Sequence, residues 1–109
     1  MRTLRFIVDG LIIKPDPECD FSNLVPGTSG YLQAEFKCSN DWNGTSKVVG
    51  FYSVFGREYP PQVVNAANIC VIPAEALKSA KFQIQLFGLR GADFKLTTNK
   101  LTVCQDGGK

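Results

Sequence analysis

This chain reads as all-β: an immunoglobulin-like antiparallel β-sandwich with one short connecting helix. Three observations carry that reading. Apolar and polar residues alternate in short runs, as where Leu32, Ala34, Phe36 and Cys38 interleave with Gln33, Glu35 and Lys37. Such a period of two marks a strand with one wet face. Turn residues recur between the runs, among them Asp9-Gly10, Pro26-Gly27 and Asn43-Gly44. The only helical signal is Pro73 to Lys78, which is too short to form a layer, and no alternation of strands with long helices suggests a parallel sheet.

Taken in order, residues 3–8 alternate Leu4, Phe6 and Val8 with Arg5 and Ile7, a first strand. Asp9-Gly10 is a two-residue hairpin signal, and Leu11 to Lys14 is the partner strand. Pro15 and Pro17 bar regular pairing over the following acidic loop. Phe21 to Val25 is a short apolar patch, and Pro26 to Gly30 is turn material.

The centre of the chain is Tyr31 to Tyr59, two apolar runs around a polar turn that holds the only tryptophan. Asn43-Gly44 supplies the positive φ angles of a tight reversal. Trp42 is expected to fold over the core, its indole N–H on a carbonyl. The second run extends from Lys47 to Phe55, and Phe55 to Tyr59 reads as a further hairpin ended by Pro60-Pro61. Val63-Val64 and Asn68 to Ile72 are short strands around an Asn-rich turn. Pro73 and Glu75 suit the start of the short helix and Lys78 its end. Lys81 to Gly88 is a strand with Phe82, Ile84 and Leu86 inward, and Gly88 permits a bend or bulge at its end. Phe94 to Thr98 and Lys100 to Cys104 are the last strands, and Asp106 to Lys109 reads as a frayed end.

Composition bounds the chemistry. The 109 residues make one domain, 1–109, with 44% apolar and 20% charged residues, a globular balance. No histidine is present, which removes the usual general base, zinc ligand and pH switch. Cys19, Cys38, Cys70 and Cys104 are widely spaced with no C-x-x-C pair, so free thiols acting as small hydrophobes are favoured over zinc. Asp16, Glu18 and Asp20 sit two apart, yet neither the glycine nor the distal glutamate of a calcium loop follows. They read as a solvated loop.

The twelve basic residues are scattered and the net charge is +2, so no phosphate-binding stripe forms and nucleic acid is not an expected partner. No signal peptide or membrane span is legible, which implies a soluble protein made in the cytoplasm and no membrane partner. Asn43-Gly44-Thr45 matches a glycosylation acceptor, but no secretion signal accompanies it. No nucleophile–base pair, phosphate loop, metal cluster or cofactor motif is present, so the expectation is a protein without enzymatic activity.

Several landmarks occur in a fixed order: Asp41-Trp42-x-Gly44, Lys47 and Val49-Gly50-Phe51, then Cys70-Val71-Ile72-Pro73-x-Glu75-x-Leu77. Phe82-x-Ile84-x-Leu86-Phe87-Gly88 and Thr97-Thr98-Asn99-x-Leu101-x-Val103 follow. In that order they resemble a β-sandwich domain of virion proteins of tailed phages of Gram-positive bacteria, which include baseplate, tail-fibre and head-fibre components. The resemblance covers nearly the whole chain. It implies a structural attachment or decoration module in the virion, made in the host bacterial cytoplasm. Its partners would be other virion proteins or further copies of itself in a homo-oligomer. It supplies no catalytic residues. Trp42, Gly44, Pro73 and Gly88 are landmarks of the fold.

The candidate interaction surface is Tyr52, Phe55, Arg57 and Tyr59, residue types enriched at interfaces. Strand alternation places Phe51, Ser53 and Phe55 on one face and Tyr52 and Val54 on the other. One of these faces is apolar in excess of what a two-sheet core uses. Two other readings compete. One is a small phage-encoded inhibitor of a host enzyme or defence complex. The other is a carbohydrate-binding module using exposed Trp42, Tyr52 or Tyr59, which fails if Trp42 is buried.

Overall fold

A computed structural model describes residues 1–105. Two sheets pack face to face as an all-β sandwich. The first contains β1 (Arg2–Asp9), β2 (Ile12–Pro15), β3 (Leu32–Cys38) and β6 (Ile69–Val71) in the order β2-β1-β3-β6. The second is built on β7 (Lys81–Arg90), with β4 (Ser46–Tyr52) on one side and β5 (Glu58–Val63) beyond it. On the other side of β7, β8 (Phe94–Thr97) and β9 (Leu101–Cys104) pair end to end along its length. The expected frayed segment, residues 106–109, lies outside the described residues.

The alternation seen in the sequence is the alternation of burial. Leu4, Phe6 and Val8 on β1, Leu32, Ala34 and Phe36 on β3, and Phe82, Ile84 and Leu86 on β7 all enter the core. Phe6 stacks on Phe36 with ring centroids 5.7 Å apart, and Phe51 lies 6.3 Å from Phe82. Trp42 is fully buried, and its indole N–H donates to the Gly10 carbonyl at 2.8 Å. The ring thus joins the turn before β4 to the first hairpin. Gly44 takes φ 77° in that turn, the left-handed conformation for which glycine is favoured.

Several expectations are corrected. The sheets are antiparallel except for β1 and β3, which pair in parallel from Arg2↔Leu32 to Val8↔Cys38. The 16–31 loop returns the chain to the end where β1 began, and parallel neighbours need such a long connection. In the first hairpin Asp9 pairs with Ile12, so the loop is Gly10-Leu11 with Gly10 at φ 59°. A glycine first in a two-residue loop suits a type II′ turn. The connecting helix is a single 3-10 turn, Ala76–Lys78, because so few residues cannot repay α-helix nucleation. A second 3-10 turn, Asn40–Trp42, precedes β4.

The Lys47-to-Phe55 strand stops at Tyr52, since Gly56 at φ 91° turns the chain. Pro60-Pro61 does not end the next strand. Both prolines lie within β5, at the sheet edge, where the register slips between Val49 and Phe51. An edge strand tolerates residues that cannot donate to a ladder, and a bulge tolerates them best. Gly88 makes no bend. A Cβ there would meet Trp42 Cζ3 at 2.7 Å and Cε3 at 2.8 Å, so the glycine is the floor under the indole. Pro73 is buried in the connection from β6 to β7, and its carbonyl accepts from Ala76 N–H at 3.1 Å.

Candidate interaction surface

The four candidate residues lie around the hairpin between β4 and β5 but do not form one surface. Tyr59 is opposite Phe51, half-buried on the core side, with its hydroxyl 3.5 Å from Ser79 Oγ. Tyr52 faces the other way, on the outer face of the second sheet. Phe55 stands at the hairpin tip and is 95% exposed. Arg57 and Tyr59 line a cleft of about 410 Å³ together with Glu58, Pro60, Glu75 and Lys78.

The tip is held by Ser53. Its Oγ accepts from Phe55 N–H at 3.2 Å and from Arg57 N–H at 2.9 Å. Its main chain closes the loop: Ser53 N–H donates to the Arg57 carbonyl at 2.8 Å, and Gly56 N–H donates to the Ser53 carbonyl at 3.0 Å. One serine therefore fixes the backbone on both sides of Phe55. A short hydroxyl side chain suits this role because it reaches nearby N–H groups in a turn.

Tyr52 explains the surplus apolar face. Its relative exposure is only 9%. The ring folds back over Gly50, where a Cβ would meet Tyr52 Cζ at 2.9 Å. Lys100 Nζ lies 4.2 Å from its centroid on the solvent side, a cation–π contact. Burial, then the nearby Glu58 carboxylate, pushes the Tyr52 hydroxyl above its usual pKa. On the same face Lys95 Nζ sits 5.3 Å from the Phe87 ring. The lysines cap both rings, so neither ring presents an open stacking face. Trp42 is wholly inside, which removes the best residue of the carbohydrate-binding reading.

The other candidate groups are accounted for locally. Asp16 Oδ1 accepts from Glu18 N–H at 2.9 Å and Asp20 Oδ1 from Ser22 N–H at 2.8 Å, so these carboxylates close Asx turns. The Ser22 hydrogen bonds lower the Asp20 pKa, with Arg2 adding to the effect. Arg2 in turn donates to the Asp20, Ser22 and Asn23 carbonyls. Among the described residues no cluster of acidic residues and cysteines has the arrangement of a metal site. The four cysteines are free thiols. Burial pushes the Cys70 thiol up to about 12 and raises Cys38, which Lys47 partly offsets. Among the described residues no helix is long and apolar enough to cross a membrane.

The sequence reading missed Val63, which stands 79% exposed on the outer edge. It appeared there as half of a Val-Val pair, and only the edge position of β5 shows that its side chain has no cover. No protein-family model, curated protein or solved structure matches this chain.

Proposed function

We propose that this protein is a non-enzymatic structural component of a tailed-phage virion, an attachment or decoration module of capsid, tail or baseplate working through protein–protein contacts. Phe55 carries the reading. An aromatic ring 95% exposed on a turn fixed by Ser53 is presented to a partner at little entropic cost, and such rings are common interface anchors. The partners are other virion proteins or further copies of this chain in a homo-oligomer. The protein is made in the bacterial cytoplasm and resides in the virion. The immunoglobulin-like description of the sandwich belongs to the same proposal and rests on the run of short alternating strands separated by turns.

Two measurements test this. Particles purified from a lysate that contains the protein should carry it through a density gradient, and Phe55→Ala should reduce the amount retained. Light scattering over a concentration series should show self-association that the same substitution weakens. Recovery solely in the particle-free fraction, bound to a host protein, would replace this reading with that of an inhibitor of a host enzyme or defence complex.

A further inference from the structure

A strand at a sheet edge exposes N–H and C=O groups that another extended chain can pair with, and folded proteins usually guard them. Several edges of this sandwich carry a guard over at least part of their length. On β2, Asn99 Oδ1 accepts from Ile13 N–H at 2.8 Å and the Leu11 carbonyl accepts from Asn99 N–H at 3.3 Å. On β6, Asn65 occupies both outward groups of Ile69, accepting from its N–H at 3.0 Å and donating to its carbonyl at 3.0 Å. On β5, Pro60 and Pro61 lack N–H groups and the register is broken. β8 carries one charged residue, Lys95, whose ammonium lies over the Phe87 ring on the sheet face.

β9 differs. Its sequence, Leu101-Thr102-Val103-Cys104, contains neither charge nor proline. Gln105 N–H donates to the Ala80 carbonyl at 2.6 Å. Antiparallel alternation from that bond turns the main-chain groups of Val103 and Leu101 toward β7, and those of Thr102 and Cys104 away from it. Both outward residues are exposed. Beside them a cleft of about 290 Å³ opens between the sheets, with Phe6, Pro15, Phe21, Leu101 and Val103 in its walls.

We infer that the outer edge of β9 is a strand-addition site for an extended segment of another protein carrying an apolar side chain that enters this cleft. The occupant follows from the groups on offer. Main-chain donors and acceptors two residues apart are matched by the alternating groups of an extended backbone, and an uncharged apolar wall accepts an apolar side chain. The β9 strand of a second copy does not fit. Its Val103 is buried in its own core and its Leu101 packs against that core, so neither can fill a neighbour's cleft. This surface is separate from the Phe55 hairpin and stands whether or not that reading holds.

The test uses the full-length protein and a blocked seven-residue peptide alternating valine and threonine, with a terminal lysine at each end for solubility. Binding should slow hydrogen exchange at the Thr102 and Cys104 amides and shift their NMR signals. Thr102→Pro removes one outward N–H without touching the β7 ladder, and should weaken binding about tenfold or more. If that variant does not fold, the same peptide N-methylated at alternate backbone nitrogens decides on the wild-type protein, because its side chains are unchanged and it should not bind. Absence of binding at millimolar peptide overturns the inference. So does equal affinity for Thr102→Pro, or for the N-methylated peptide.

Discussion

Asn99 holds Ile13 as a neighbouring strand would. The Ile13 N–H donates to Asn99 Oδ1 at 2.8 Å, and Asn99 Nδ2 donates to the Ile13 carbonyl at 3.4 Å. Asn99 lies in the gap between β8 and β9, and Ile13 lies on β2, so this side chain ties the two sheets together. Beside it Thr98 keeps the β7 ladder continuous across the gap. Its Oγ1 accepts from Leu86 N–H at 3.0 Å, and its own N–H donates to the Leu86 carbonyl at 3.1 Å.

Asn99→Ala leaves the main chain of a buried residue without its partner. It should lower stability by about 1–3 kcal/mol, read from urea unfolding. Asn99→Asp keeps the oxygen that accepts from Ile13 N–H and replaces the longer bond by a contact between two oxygens, and it should still cost less than Asn99→Ala. Equal losses for the two variants would show that the 2.8 Å bond to Ile13 is not the main contribution.

Gly88→Ala pushes a Cβ into the indole of Trp42, with Cζ3 at 2.7 Å and Cε3 at 2.8 Å. Trp42 is fully buried and hydrogen-bonded to Gly10, so it has little room to move. Overpacking of this kind should cost about 1–3 kcal/mol. Combining it with Trp42→Phe should give a total loss smaller than the sum of the two, because the smaller ring makes room for the methyl. Simple additivity in the double-mutant cycle would mean that the contact is not felt.

The Cys70 thiol makes stability depend on alkaline pH. Burial raises it from an ordinary 9.0 to about 12. Below pH 9.0 both folded and unfolded chains keep the proton, and the contribution is fully present. From there to about 12 the unfolded chain releases the proton while the folded one retains it, so stability falls as pH rises. Cys70→Ala should unfold more easily at neutral pH yet lose less stability over this window, as followed by denaturant midpoints at stepped pH. In the native protein the exposed Cys104 should react with iodoacetamide well before buried Cys70.

Ser53 and Phe55 separate presentation from contact. Phe55→Ala removes a ring that touches almost nothing, and stability should change by no more than about 0.5 kcal/mol. Ser53→Ala removes the oxygen that receives Phe55 and Arg57 N–H, and should cost about 1 kcal/mol. If association depends on a fixed tip, both variants weaken it. If only Phe55→Ala does, the ring matters and its positioning does not.

Part of this was plain in the sequence because the physics is local. The alternation over Leu32–Cys38 and Lys81–Gly88 gave both strands and their buried faces, and the burial of Trp42 followed from its size and apolarity. Other features depend on residues far apart in the chain. Gly88 reads as a bend until Trp42 is seen above it. Tyr52 reads as surplus surface until Gly50 and Lys100 are seen to enclose it. Pro60-Pro61 reads as a stop until β5 proves to be an edge strand. Residue types pointed to the β4–β5 hairpin, but Tyr52 and Tyr59 turn to opposite faces, and of the three rings only Phe55 stands fully exposed.

Side-chain period and turn chemistry are properties of short stretches, so the sequence alone determined an all-β chain of short strands with their buried faces. Pairing partners, strand direction and edge position are set by the closing of long loops and by which faces meet. Tertiary structure therefore decided that β1 and β3 run in parallel, that Asn99 joins the sheets at Ile13, and that β9 lies beside an apolar cleft.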